Sequence, residues 1–145
     1  MPLITRIYLK SGLIFFVGAL LLGIALQIDA LAFTALVPLF WHMLMLGWIT
    51  QIIMGVSLWM FPRRKKVESF KNQCWAWIAY LFLEIGLILR IITEPLILTS
   101  SLVVWEILLA LSAILQFMAV VFYTLEIWPR VLSKEKLKRV RKKER

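Results

Sequence analysis

Four apolar runs, each near or above the roughly 20 residues that cross a bilayer core about 30 Å thick, take up most of this chain. A sequence built this way has few options. Each run is read as a membrane-spanning helix, and little is left over for a separate soluble domain. The expected fold is therefore all-α, an integral membrane four-helix bundle. The spans read as about 7–28, 35–61, 74–92 and 101–128 in a single transmembrane domain, 1–132, followed by a basic tail, 133–145. Composition supports this: 62% of the residues are hydrophobic and the mean hydropathy is +0.88, beyond what a soluble surface tolerates. The first run is longer than a signal-peptide core and has no clear small-x-small cleavage site, so it is read as a retained helix.

Charge supplies the orientation. Of 17 Lys and Arg residues, five lie between Arg63 and Lys71 and nine between Arg130 and Arg145; Arg6 and Lys10 sit near the start, and Arg90 stands apart. Clusters just beyond helix ends are the positive-inside pattern, so both termini and the 63–71 loop are expected in the cytoplasm, with short outer turns near Asp29 and Ser100. Anionic headgroups, rather than nucleic acid, are the partner such segments favour. The chain is thus expected in the cytoplasmic membrane of a prokaryote. Trp41, Trp59, Trp75, Trp77, Trp105 and Trp128 fall towards span ends, as an interfacial belt does. Pro62 and Pro129 mark the ends of the second and fourth spans, and Thr93-Glu94-Pro95 the end of the third. The single cysteine, Cys74, excludes an internal disulfide and is expected to pack at the cytoplasmic edge.

Polar groups inside the spans raise the functional question, because a charge at mid-helix costs roughly 2.5–3.5 kcal/mol to insert. His42 is about seven residues into the second span, roughly 10 Å below its outer edge. Arg90, Glu94 and Glu106 are expected in the same outer third, with Arg90 paired to Glu94 or Glu106. Glu84 lies near the midplane with no cation at equal depth, and Gln51 and Gln116 are its nearest polar candidates. Desolvation there favours the neutral acid. It reads either as a hydrogen-bonded packing group or as a proton relay. His42 reads equally as a packing residue or a haem ligand, imidazole being the usual ligand of haem iron.

The stretch Leu39-Phe40-Trp41-His42-Met43-Leu44-Met45-Leu46-Gly47-Trp48-Ile49, continuing through Gly55 to Met60-Phe61-Pro62-Arg63, resembles the second helix of haem–copper oxidase subunit I. It is most similar to the branch of cbb-type oxidases, bacterial nitric oxide reductases and NnrS-like relatives. Arg6-Ile7-Tyr8-Leu9-Lys10 with Gly12-Leu13, Gly86 to Ile92 with Glu94-Pro95, and Gln116, Ala119 and Phe122 with Trp128-Pro129-Arg130-Val131 are similar to the family's first, third and fourth helices. The resemblance implies that His42 is an axial ligand of a low-spin haem b. Arg90 would neutralise a propionate, and Gly47 would leave room for the ring. The departures limit what can be implied. Phe40 replaces the first histidine of the family's pair, the ligand-bearing later helices are missing, and His42 is the only histidine. One such chain cannot house a binuclear oxygen- or nitric-oxide-reducing centre, so no catalytic centre of its own is expected. Two functions remain: a small b-type haem protein for electron transfer or haem-based sensing, or a haem-free accessory or assembly subunit of a larger respiratory complex. With little interior to hide its polar groups, the chain is expected in a homo-oligomer or that larger complex.

Overall fold

The computed structural model describes residues 1–28, 36–61, 71–97 and 102–131. Among them the chain is all-helical, with four helices long and apolar enough to cross a membrane. These are α1 (Leu3–Ala25), α2 (Leu36–Met60), α3 (Lys71–Leu96) and α4 (Val103–Ile127), the last running into a short 3₁₀ turn, Trp128–Arg130. The expected turns at Asp29 and Ser100, most of the 63–71 loop and the 133–145 tail lie outside the described residues.

The ends of the spans differ from the sequence expectation for local reasons. α1 starts at Leu3, not Ile7, with Pro2 as its N-cap, and Arg6 N–H already bonds the Pro2 carbonyl. Proline suits this position because no donor is wanted there. Its last turn tightens, with Gln27 N–H on the Ile24 carbonyl and Ile28 N–H on the Ala25 carbonyl. α3 does not stop at Ile92. Pro95 lies inside its last turn, where a proline removes one backbone bond but leaves the N–H groups before it free to bond back. Thr93 and Glu94 are therefore helical.

α2 is not a uniform helix. Leu36–His42 is α-helical, Met43–Thr50 winds as a π-helix, and Gln51–Met60 is α-helical again. Thr50 Oγ1 donates to the Met45 carbonyl at 2.8 Å, helping to satisfy the widened ladder.

The helices alternate in direction. Within the α1–α2 hairpin Tyr8 lies against Gly55, Gly12 against Gln51 and Ile52, and Phe15 against Gly47. Within the α3–α4 hairpin Trp75 and Phe82 meet Phe122, while Gly86 meets Ser112 and Gln116. The absent side chain at Gly86 is needed there: a Cβ would stand 3.2 Å from the Ser112 carbonyl oxygen. In that space Ser112 Oγ donates to the Gly86 carbonyl at 2.8 Å. Between the hairpins the hydrogen bonds are made largely by side chains, Gln51 to Glu84, Arg90 to His42, and Ser57 with Tyr123.

The bundle has an apolar core that includes Tyr8, Met54, Leu83 and Leu87, but its surface is apolar as well. Gln51, Thr93, Glu94, Ser112, Gln116 and Glu126 are buried, while Ile14, Leu21, Ile107 and Phe117 are exposed. Hydrocarbon is the surrounding that suits such a surface. Cys74 departs from expectation: it is exposed. The buried stripe of α3 runs through Ala76, Ala79, Leu83 and Leu87, and Cys74 stands two residues before it, on the far side of the helix.

Candidate functional site

Three helices converge at the end of the bundle where α2 begins and α3 finishes. From α3, Arg90 donates through NH1 to Glu94 Oε1 at 2.9 Å and through Nε to Ser112 Oγ of α4 at 3.3 Å. Its NH1 also lies 3.2 Å from Nε2 of His42. On the other edge of the imidazole, Nδ1 is 2.8 Å from the Pro38 carbonyl oxygen and 3.0 Å from Glu94 Oε1. Carbonyl and carboxylate only accept, so Nδ1 carries the hydrogen and Nε2 the lone pair that faces Arg90. Gln116 Nε2 reaches Ser112 Oγ at 3.4 Å and extends the network along α4.

The charges are well sheltered. Glu94 is 7% exposed and Arg90 11%, whereas His42 is 30% exposed. A sheltered ion pair is tolerated when each member has further hydrogen bonds, which Arg90 has from Ser112. Glu94 Oε2 is buried and has no hydrogen-bond partner among the described residues. Proline stands on both sides of the site. Pro38 sits in the first turn of α2, where its missing N–H would be unsatisfied in any case, and its carbonyl receives the imidazole. The helix runs one turn beyond Arg90 despite Pro95, so Glu94 is helical and pairs with Arg90 as its i+4 neighbour.

Of the four ionisable groups expected together, His42, Arg90 and Glu94 meet, and Glu106 does not. Glu106 is exposed in the first turn of α4, where a carboxylate suits the positive end of the helix dipole. Depth was read correctly for it, but not azimuth: the buried face of α4 carries Ser112, Gln116 and Ala119, and six residues from Ser112 is not a whole number of turns. Gly47 is buried, and its space belongs to α1. A Cβ there would lie 2.8 Å from Phe15 Cβ, and the neighbouring Trp48 stacks on Phe16 at 4.0 Å. The room expected beside Gly47 is filled by Phe15.

A second polar group lies deeper. Gln51 Nε2 donates to Glu84 Oε1 at 2.9 Å, and Ser11 Oγ donates to Gln51 Oε1 at 2.6 Å. Tyr80 lies close to both Ser11 and Glu84. At the opposite end Glu126 pairs with Arg130, whose NH1 also reaches the Phe61 carbonyl at 3.4 Å. Ser11, Tyr80, Ser112 and Glu126 were not singled out from sequence. Glu126 had a signal: a buried-depth acid four residues before an arginine. Hydroxyls of Ser and Tyr are too common in membrane helices to carry one.

No family model, curated protein or solved structure matches the chain.

Proposed function

We propose that the chain is a multi-pass protein of a prokaryotic cytoplasmic membrane, with both termini cytoplasmic, and that His42 holds a b-type haem used for electron transfer or haem-based sensing. The observation that carries this reading is the pair of acceptor oxygens at the imidazole's Nδ1. Nδ1–H is held by the Pro38 carbonyl and Glu94, which leaves Nε2 as the nitrogen able to donate to iron. Haem-ligating histidines are commonly oriented by such a second-side hydrogen bond. Arg90 is the residue suited to a propionate, since guanidinium and carboxylate pair with charge assistance.

The fit has conditions. Arg90 must leave Nε2 before iron takes that lone pair. The ring cannot lie beside Gly47, where Phe15 packs, so it has to meet His42 from its exposed edge, near Trp41 and Met45, both exposed. A haem held this way would sit at the rim of the bundle, a position that suits a cofactor shared with a second copy or a partner subunit. The same two contacts favour the second reading, a haem-free accessory or assembly subunit of a larger respiratory complex, in which His42 is a fixed acceptor for Arg90.

The reduced-minus-oxidised absorption spectrum of the purified protein separates the two. A b-type spectrum that His42→Ala abolishes or strongly shifts, and that Arg90→Ala alters mainly in redox potential, supports the haem protein. A parent protein without haem, or a spectrum indifferent to His42→Ala, leaves the accessory subunit.

A further inference from the structure

The outward side of α2 carries a groove that the packing of the bundle does not use. Ile52, Ile53, Val56, Ser57, Met60 and Phe61 line it and enclose about 310 Å³. These positions recur at three and four residues, so they share one face of the helix. The floor is low because Val56 and Ser57 are short side chains set between longer ones. Ser57 is the polar member, and its hydroxyl is turned inward, donating to the Met54 carbonyl at 2.8 Å and meeting the Tyr123 hydroxyl. The groove therefore offers hydrocarbon alone, and Ile53 and Met60 leave it open to the surroundings.

Its dimensions choose among occupants. From Ile52 to Phe61 is nine residues, about 14 Å along the axis, close to the depth of one leaflet's hydrocarbon, half of roughly 30 Å. The volume of about 310 Å³ spread over that length gives a mean section of about 20 Å². One hydrocarbon chain fills such a slot, whereas a helix, roughly 10–12 Å across with its side chains, is several times too wide. Charge selects the headgroup. At the Phe61 end Arg130 reaches the Phe61 carbonyl and is paired with Glu126, so those two charges offset each other. In the sequence Phe61 is followed by Pro62 and then by Arg63-Arg64-Lys65-Lys66, four cations with no acid among them. Consecutive Cα atoms are about 3.8 Å apart, which keeps Arg63 within about 8 Å of Phe61 whatever path the chain takes. That is inside the range over which a cation attracts an anionic headgroup at physiological salt.

We propose that this groove holds one acyl chain of an anionic phospholipid, with the headgroup drawn to the Phe61 end by the positive charge that follows it. The inference rests on the membrane reading above and not on haem at His42.

The test is photo-labelling of the full chain in phosphatidylcholine vesicles that carry a trace of phosphatidylglycerol with a diazirine midway along one acyl chain. Labels should concentrate on Ile53, Val56 and Met60 rather than on Ile14, Leu21, Ile107 and Phe117, which are exposed on other helices. Unlabelled phosphatidylglycerol should compete for these positions at least about fivefold better than the same amount of added phosphatidylcholine, the preference that a single basic residue near the headgroup supplies. Val56→Trp fills the floor and should remove the labelling, and Ile53→Trp, at an exposed position, serves if Val56→Trp does not accumulate. Replacing Arg63, Arg64, Lys65 and Lys66 together by Gln should keep the labelling but erase the headgroup preference. Labels spread evenly over the exposed faces would mean ordinary boundary lipid, and equal competition by the two lipids would mean a slot without headgroup choice; either overturns the proposal. So would an unlabelled groove in which Met60→Cys disulfide-links two chains, the mark of a second copy there. A chain that alkaline carbonate washes from the vesicles would fail the membrane reading and this proposal with it, whereas misplaced labels on an embedded chain fail the proposal alone.

Discussion

Arg90 is the residue on which most of the site depends, since its guanidinium touches α2, α4 and its own helix. Breaking a buried pair from one side typically costs about 3–5 kcal/mol, while replacing both members by apolar groups of similar size is close to neutral. Arg90→Met and Glu94→Leu should therefore each destabilise the folded bundle by a few kcal/mol, and the double variant should regain much of the loss. Unfolding in detergent followed by circular dichroism checks this, and additive losses would argue against a coupled pair. At Gly47 any larger side chain must displace Phe15. Gly47→Leu should cost about 1–3 kcal/mol through overpacking, whereas a ring slot at that position would leave stability nearly unchanged. Which residues lie at equal depth was legible in the sequence: Gln51 meets Glu84, and Arg90 meets His42. Which way each points round its helix was not, as Glu106 and Cys74 show.

At the scale of elements, the four spans were legible because hydropathy is a property of composition over many residues. The winding of α2 was not. Nothing in Met43-Leu44-Met45-Leu46-Gly47-Trp48 marks a π-helix, yet it decides what α2 presents. His42 and Gln51 are nine residues apart, about two and a half turns of an α-helix at 3.6 residues per turn, which would set them on opposite faces. With the wider turn of a π segment, about 4.4 residues, nine residues make close to two turns. Both side chains then reach α3, one at Arg90 and Glu94 and the other at Glu84. Deleting the exposed Met45 should narrow the turn and swing His42 away from Arg90. The expected cost is about 1–3 kcal/mol, that of a buried donor losing its acceptor. It would be read as earlier thermal unfolding at unchanged helix content; unchanged stability would mean that the π winding does not set this contact.

For the whole molecule, the alternating helices bring the start of α1, the end of α2, the start of α3 and the end of α4 to one end of the bundle. Arg6, Lys10 and Arg130 belong to that end, and the proposal that it is the cytoplasmic one follows the positive-inside pattern. Cys74 is exposed near the same end, so an impermeant maleimide should label it in inverted vesicles and not in intact cells. Cysteines placed at Asp29 or Ser100 should show the opposite pattern. Labelling of Cys74 in intact cells would reverse the orientation.

The division of contacts between and within the hairpins has a consequence for how such a chain is made. Close glycine contacts line each hairpin, while hydrogen-bonding side chains, Gln51 with Glu84, Arg90 with His42 and Ser57 with Tyr123, add specific bridges between the two. Lipid gives apolar surfaces no reason to choose one another, whereas hydrogen-bonding side chains do discriminate. The halves should therefore need no covalent thread to find each other. Residues 1–68 and 69–145, expressed as separate polypeptides, should assemble into one complex that co-purifies, and Glu84→Leu with Arg90→Leu in the second fragment should abolish that pairing while both fragments still enter the membrane.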